Sequence, residues 1–156
     1  MFGNWSIDWS LFNWMLSNIP FEYKILELGS GESTQELIKK WSIISVEENI
    51  EWVGKFHQNY IHAPIVDDFY DLTKIKVKKI DCILVDGPAH GDRKKLFNNL
   101  DFFMKMKPKI LVFDDLDRSS DLECYNDILN KLSKLNQVES DIIKENKNFG
   151  FIKINY

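Results

Sequence analysis

Glu27, Glu47, Asp86 and the pair Asp114–Asp115 each close a short apolar run, and Gly29-Ser30-Gly31 follows directly on the first of them. Glycines in that setting let the backbone turn sharply and approach a ligand that a Cβ would hold off. Ser33-Thr34-Gln35-Glu36 has capping-box spacing, which predicts a helix starting at once. Strand, glycine turn and helix N-terminus together make a site for a nucleotide-like ligand. A dinucleotide site would want a further glycine three residues after Gly31, where Thr34 stands instead. Glu47 lies 18 residues beyond Gly29, at the end of the neighbouring predicted strand. A carboxylate there can accept hydrogen bonds from both hydroxyls of a ribose. Otherwise Glu47 or Glu48 is an acid at a helix N-terminus, interacting with its dipole.

Asp86, Asp114 and Asp115 pose a different problem. Adjacent strands would bring three carboxylates to one rim, which raises their pKa values or destabilises the fold unless a positive charge intervenes. A hard cation with oxygen ligands removes the conflict, and Mg²⁺ typically takes one or two carboxylates plus waters and substrate oxygens. The other reading is of solvated loop acids, with Asp115 or Asp117 capping the following helix.

The elements that must position these residues alternate from residue 23 to about 135. Strands are predicted around 25–28, 42–46, 63–66, 79–86 and 109–115, with helices over 33–41, along the Ile50/Val53/Phe56/Tyr60 face, along the Leu96–Met104 stripe and over Leu122–Leu132. An amphipathic segment carrying Ile7, Leu11, Trp14 and Met15 precedes them. The tail ESDIIKENKNFGFIKINY predicts two strands joined by a tight Glu-Asn-Lys-Asn turn. The pattern is α/β: a doubly wound, mostly parallel sheet with helices on both faces and a C-terminal antiparallel hairpin.

The 156 residues fit one domain, an N-terminal helix over 1–20 and a core over 21–156. A net charge of −4 gives no electrostatic footprint for nucleic acid. No segment is long and apolar enough to span a membrane, and the first residues lack the basic start of a secretory signal, so a cytoplasmic location is expected. Cys82 sits inside an apolar run and, with Cys124, fits a reduced compartment.

The ELGSG motif, Glu47 and the stretch IDCILVDGPAHGDRKKLFNNLDFFMKMKPKILVFDDL resemble the class I S-adenosylmethionine-dependent methyltransferases, from about residue 23 to the end. Within that class the second stretch looks like the part that carries the divalent ion in the metal-dependent O-methyltransferases of the catechol, macrolide-sugar and glucuronoxylan types. The resemblance implies a Rossmann-like seven-stranded sheet of order 3-2-1-4-5-7-6. It implies S-adenosylmethionine held by Glu27, Gly29, Ser30, Gly31, Ser33, Glu47 and Asp86, with Asp67 and Asp68 near the adenine. It also makes Asp86, Asp114 and Asp115 ligands of a divalent metal, Mg or Mn. Departures are the Lys107-Pro108-Lys109-Ile110 turn in place of Lys-Pro-Gly-Gly, Pro88 in place of a polar residue, and no clear equivalent of the catechol-type catalytic lysine.

The implied reaction is methyl transfer to a hydroxyl of a small molecule or glycan, with Asp86 and His90 catalytic. His90, four residues past Asp86, is the first candidate for the base, with Asp92 and Lys94 as the others. Arg93 is read as the partner of a strand-end acid. Trp5, Trp9 and Trp14 are core at helical spacing or an aromatic wall for a ring; His57 and His62 are read as structural. A chain this short leaves the acceptor site open or completed by a second subunit. The alternative function is a non-catalytic domain that binds S-adenosylmethionine or another nucleotide.

Overall fold

Runs of Ile, Leu and Val bounded by polar residues become short buried strands. In chain order they are Lys24–Leu28 (β1), Ser42–Glu47 (β2) and Tyr60–His62 (β3), then Ile65–Val66 (β4) and Phe69–Tyr70 (β5), and then Cys82–Val85 (β6) and Ile110–Phe113 (β7). Gln137–Ile143 (β8) and Phe149–Asn155 (β9) complete the set. The helices are Trp9–Asn18 (α1), Thr34–Leu37 (α2), Lys95–Asn98 (α3), Leu100–Met104 (α4) and Ser119–Ser133 (α5). This is a computed structural model describing residues 6–156.

Seven strands form one sheet in the order β3-β2-β1-β6-β7-β9-β8, while β4 and β5 pair separately. Counted over the large sheet alone, that is the expected 3-2-1-4-5-7-6. β3, β2, β1, β6 and β7 run parallel, and β9 and β8 return antiparallel. The winding reverses between β1 and β6, which opens a crevice at their carboxyl ends. Register fixes what lies there: Leu28 stands beside Val46 and Val85, and Val85 beside Phe113. Gly29, Glu47, Asp86 and Asp114 therefore emerge on one rim.

Alternation along the strands divides the core between two faces. Ile25, Ile43, Cys82, Leu84, Ile110 and Val112 pack under α1, Leu37 and Trp41. Leu26, Leu28, Ile83, Val85, Leu111 and Phe113 face Leu96, Leu100, Phe103, Tyr125, Ile128 and Leu132 from α3, α4 and α5. No helix among the described residues is long and apolar enough to cross a membrane.

Several predicted elements differ. The Ile50/Val53/Phe56/Tyr60 face is not helical: residues 50–56 form turns, Gly54 takes φ +77°, and Tyr60 begins β3. The third strand ends before Pro64, which has no N–H to give a ladder, rather than spanning 63–66. Ile65–Val66 instead pairs with Phe69–Tyr70 across Asp67-Asp68, whose φ values of +52° and +65° fit a type I′ hairpin turn. α2 is shorter than 33–41, and Ser33 is itself helical and makes no side-chain cap bond, so no capping box forms. The 96–104 stripe breaks into two short helices at Asn99.

Tyr125 on α5 ties this helix to the hairpin, its buried hydroxyl lying 3.2 Å from the Asp141 carbonyl and 3.1 Å from that of Phe151. Tyr125→Phe should lower stability by about 1 kcal/mol, the net worth of one hydrogen bond, as read from a urea unfolding curve with unchanged slope.

Candidate functional site

The glycine turn is held from behind. Gly31 N–H donates to Thr34 Oγ1 at 3.1 Å, and that hydroxyl donates to Glu27 Oε1 at 2.9 Å. Ser45 Oγ donates to the other oxygen of Glu27 at 2.6 Å and lies 2.9 Å from His57 Nε2. Because Asn59 N–H donates to His57 Nδ1, the hydrogen-bond network puts the ring proton on Nε2. Glu27 is thus a buried brace beneath the turn and does not line the crevice. Burial pushes its carboxyl up to about 7, against the bonds from Ser45 and Thr34. Gly29 takes φ +87° and Gly87 lies against it; a Cβ on Gly87 would stand 2.3 Å from the Tyr70 hydroxyl and 2.9 Å from Gly29 Cα.

In front of the turn lies a cavity of about 420 Å³. One wall is Gly29, Ser30, Glu47 and Glu48, and the other is Asp86, Gly87, His90, Arg93 and Asp115. Ser30 donates to Glu47 Oε2 through its N–H at 3.0 Å and its hydroxyl at 3.1 Å, and Asn49 N–H donates to Oε1 at 2.8 Å. Those bonds orient the carboxylate, which lines the cavity, and leave about one of its roughly four acceptor sites, on Oε1, for a ligand beyond any that Ser30 Oγ would yield. Glu48 bridges the walls. Its Oε1 accepts from His90 N–H at 2.9 Å and lies 2.5 Å from His90 Nδ1, while its buried Oε2 has no hydrogen-bond partner. The Tyr70 hydroxyl is another buried lining atom without a partner, and burial, then Glu47 and Glu48, raises its pKa well above the ordinary value.

Asp86, Asp114 and Asp115 come together: one oxygen from each lies within 4.8 Å of the others. Protein cations surround them. Arg93, only 14% exposed, donates to Asp115 Oδ2 at 3.0 Å and to the Asp86 carbonyl at 2.6 Å. Arg118 lies 3.3 Å from the same Asp115 oxygen, and Lys147 lies 3.1 Å from Oδ1. Burial pushes Asp115 upward, yet Lys147, Arg93 and Arg118 together hold it below the usual carboxylate range. Burial and the neighbouring Asp115 push Asp114 up to about 6, and burial with Asp114 raises Asp86 well above its ordinary value. Both oxygens of Asp114 are buried and accept no hydrogen bond. An all-carboxylate donor set with an orphaned member fits a hard cation.

Other expected residues lie elsewhere. Ser33 is buried with an unpartnered hydroxyl and is not on the cavity wall. Asp67 and Asp68 form the exposed turn between β4 and β5, where positive φ suits Asp, and neither lines the cavity. Lys94 pairs with Glu123, and Asp92 accepts from Lys94 N–H, so both alternatives to His90 point away. Trp14 stacks on Phe151 at 4.9 Å and belongs to the core, Trp9 meets Phe12 edge-on, and Trp5 lies outside the described residues. Lys147, Tyr70 and Trp52 line the cavity without having been expected to. Lys147 was inferable: β9 pairs antiparallel with β7, with Phe113 opposite Gly150, so the turn before β9 must return beside Asp114.

No protein-family model matches the sequence, and no curated protein matches it. Solved structures match the fold. A candidate caffeoyl-CoA O-methyltransferase from Staphylococcus aureus aligns with 96% of this chain and 85% of its own, at TM-score 0.66 and 12% identity. A methyltransferase from Podospora anserina, solved with SAH bound, aligns with 95% of this chain and 77% of its own, at TM-score 0.63 and 10% identity. A SAM-dependent methyltransferase from Archaeoglobus fulgidus covers 94% and 92%, at TM-score 0.63 and 13% identity. The chain therefore has the α/β fold of the class I methyltransferases.

Glu27 gives this site a pH signature. The folded protein retains a proton up to about 7 that the unfolded chain releases near 4.5, so its contribution is greatest below that lower value and is lost as pH rises between them. The slope is about 1.4 kcal/mol per pH unit at most. Glu27→Gln should flatten the stability profile, its standing relative to wild type improving from pH 5 to pH 8 in denaturant titrations.

Proposed function

We propose that the chain is an S-adenosylmethionine-dependent methyltransferase that acts on a hydroxyl oxygen, with a divalent Mg or Mn ion assisting. One observation carries the proposal: the crevice between β1 and β6 has a ribose-type acid on one wall and, on the other, Asp86 and Asp115, which cluster with the buried Asp114. The fold shared with an SAH-bound methyltransferase supports the choice of cofactor. S-adenosylmethionine supplies an electrophilic methyl group on a sulfonium. Glu47, oriented by Ser30 and Asn49, accepts hydrogen bonds from the ribose hydroxyls, while Gly29 and Gly87 keep the wall low enough for close approach.

Asp86, Asp114 and Asp115 would hold the cation, which when bound lowers the pKa of an acceptor hydroxyl and fixes its position. His90 takes the acceptor's proton at Nε2. With Nδ1 turned to Glu48, the imidazole is held in the tautomer whose Nε2 has a free lone pair, and Glu48 stabilises the imidazolium that forms. His90 is 76% exposed, so its proton passes readily to water. The acceptor is a small molecule or glycan.

Calorimetric titration with S-adenosylmethionine is the direct test, and absence of binding ends the proposal. Glu47→Ala should weaken cofactor binding by roughly ten- to a hundredfold, the worth of hydrogen bonds to a charged group. His90→Gln should leave that affinity unchanged and slow turnover of an accepted hydroxyl compound by roughly 10²-fold or more. A screen of catechols and sugars for methyl transfer, with and without Mn²⁺, identifies the acceptor; cofactor binding without any transfer would leave a non-catalytic binding domain.

A further inference from the structure

The cation site already contains a cation of the protein's own. Lys147 Nζ lies 3.1 Å from Asp115 Oδ1 and 3.6 Å from Asp114 Oδ2, between the two carboxylates that follow β7. Its third neighbour is the Ser6 carbonyl at 3.4 Å. The turn that carries it is fastened to the same loop, because Leu116 N–H donates to the Asn148 carbonyl at 2.8 Å and Asn148 N–H to Asp117 Oδ2 at 2.7 Å.

The three cations around the cluster are not equivalent. Arg93 is 14% exposed and pinned by the Asp86 carbonyl, and with Arg118 it takes Asp115 Oδ2. That leaves Oδ1 of Asp115 and both oxygens of Asp114 to a single occupant on a flexible stem. Lys147 is 38% exposed and lines the cavity, and to leave it gives up only its contact to Asp115 Oδ1, the longer one to Asp114 and a half-buried 3.4 Å bond to the Ser6 carbonyl. Asp121, 3.7 Å from Arg93, brings the local acids to four against three cations. Exchanging one ammonium for a divalent ion would balance the four acids.

We propose that Lys147 is the resident counter-ion of this site, and that a divalent cation enters by displacing its ammonium from Asp114 and Asp115. The proposal rests on the metal-assisted reading above. Before the metal arrives, the ammonium keeps the buried carboxylates tolerable; afterwards it stands free on the cavity wall. Metal affinity is then the outcome of a competition within one chain.

Manganese titrations of the full chain, followed by the EPR signal of free Mn²⁺, test this with wild type, Lys147→Met, Lys147→Gln and Asp114→Asn. Removing the competitor should tighten Mn²⁺ binding by roughly tenfold or more in both lysine variants, since a point charge at this range is worth that much at the partly buried dielectric. The same variants should melt at lower temperature in metal-free buffer and gain more from Mn²⁺ than wild type does. Equal or weaker Mn²⁺ binding by both lysine variants, with wild type binding and Asp114→Asn not, overturns the counter-ion role alone. No Mn²⁺ binding by any of them overturns the metal reading together with it.

Discussion

Parallel strands that end on one rim deliver whatever follows them to one place, and here they deliver carboxylates. Glu47 ends β2, Asp86 follows β6, and Asp114 and Asp115 follow β7. Taking such groups out of water costs several kcal/mol per ion unless partners replace the lost hydration. Each part of the rim can be understood as a response to that cost. Glu47 receives two backbone N–H groups and a hydroxyl, Asp115 receives two guanidinium groups and an ammonium, and Glu48 reaches across to His90. The Asp86 and Asp114 carboxylates each receive only a charge, Arg93 at 3.9 Å and Lys147 at 3.6 Å, and both oxygens of Asp114 are buried without a hydrogen bond. The least satisfied acid marks where an added cation would stabilise the protein most.

The second constraint is steric. At the switch point β1 and β6 lie side by side, and Gly29, next after β1, and Gly87, two residues after β6, approach until neither has room for a Cβ without displacing the other or the Tyr70 hydroxyl. This contact makes the floor of the cavity out of backbone. It lets the β4–β5 hairpin, which carries Tyr70, pack against the crevice rather than away from it. Charge and sterics thus act on neighbouring residues, Asp86 and Gly87, and the loop that begins there runs on to His90 and Arg93.

Much of this was legible in the chain. The apolar runs and glycine turn located β1, β2, β6 and β7, and the acid after each run located the rim. What failed did so for identifiable reasons. The spacing of Ile50, Val53 and Phe56 fits a helix, but Gly54 in a left-handed conformation ends any helical path through it, and no periodicity count registers that. Ser33 and Glu36 have the spacing of a capping box, yet Ser33 is already inside the turn of helix. Glu27 stands in the motif as if it faced the ligand, whereas strand alternation points it at Thr34 and Ser45. The compensating cations are the part least visible in local sequence. The sequence pairs Arg93 with a strand-end acid, but Lys147 is 32 residues beyond Asp115, and only the antiparallel return of β9 brings it back.

A shared fold at 10–13% identity specifies the sheet and the crevice at its switch point, and any chemistry there is left to the side chains. In this molecule those side chains divide the crevice into two electrostatic regimes. The Ser30–Glu47 wall is built from hydrogen bonds that are complete except on the side facing the cavity, which suits neutral hydroxyls of a bound nucleoside. The opposite wall, with Asp86 and Asp115 clustered against the buried Asp114, is built from charges that nearly cancel. Asp115 is the hinge of that balance: one oxygen is committed to two arginines and the other to one lysine. An arginine fork holds geometry, and a lysine on a flexible stem can be exchanged. On the metal-assisted proposal, rigid compensation on one oxygen and exchangeable compensation on the other would let a single carboxylate serve both stability without a metal and binding of one.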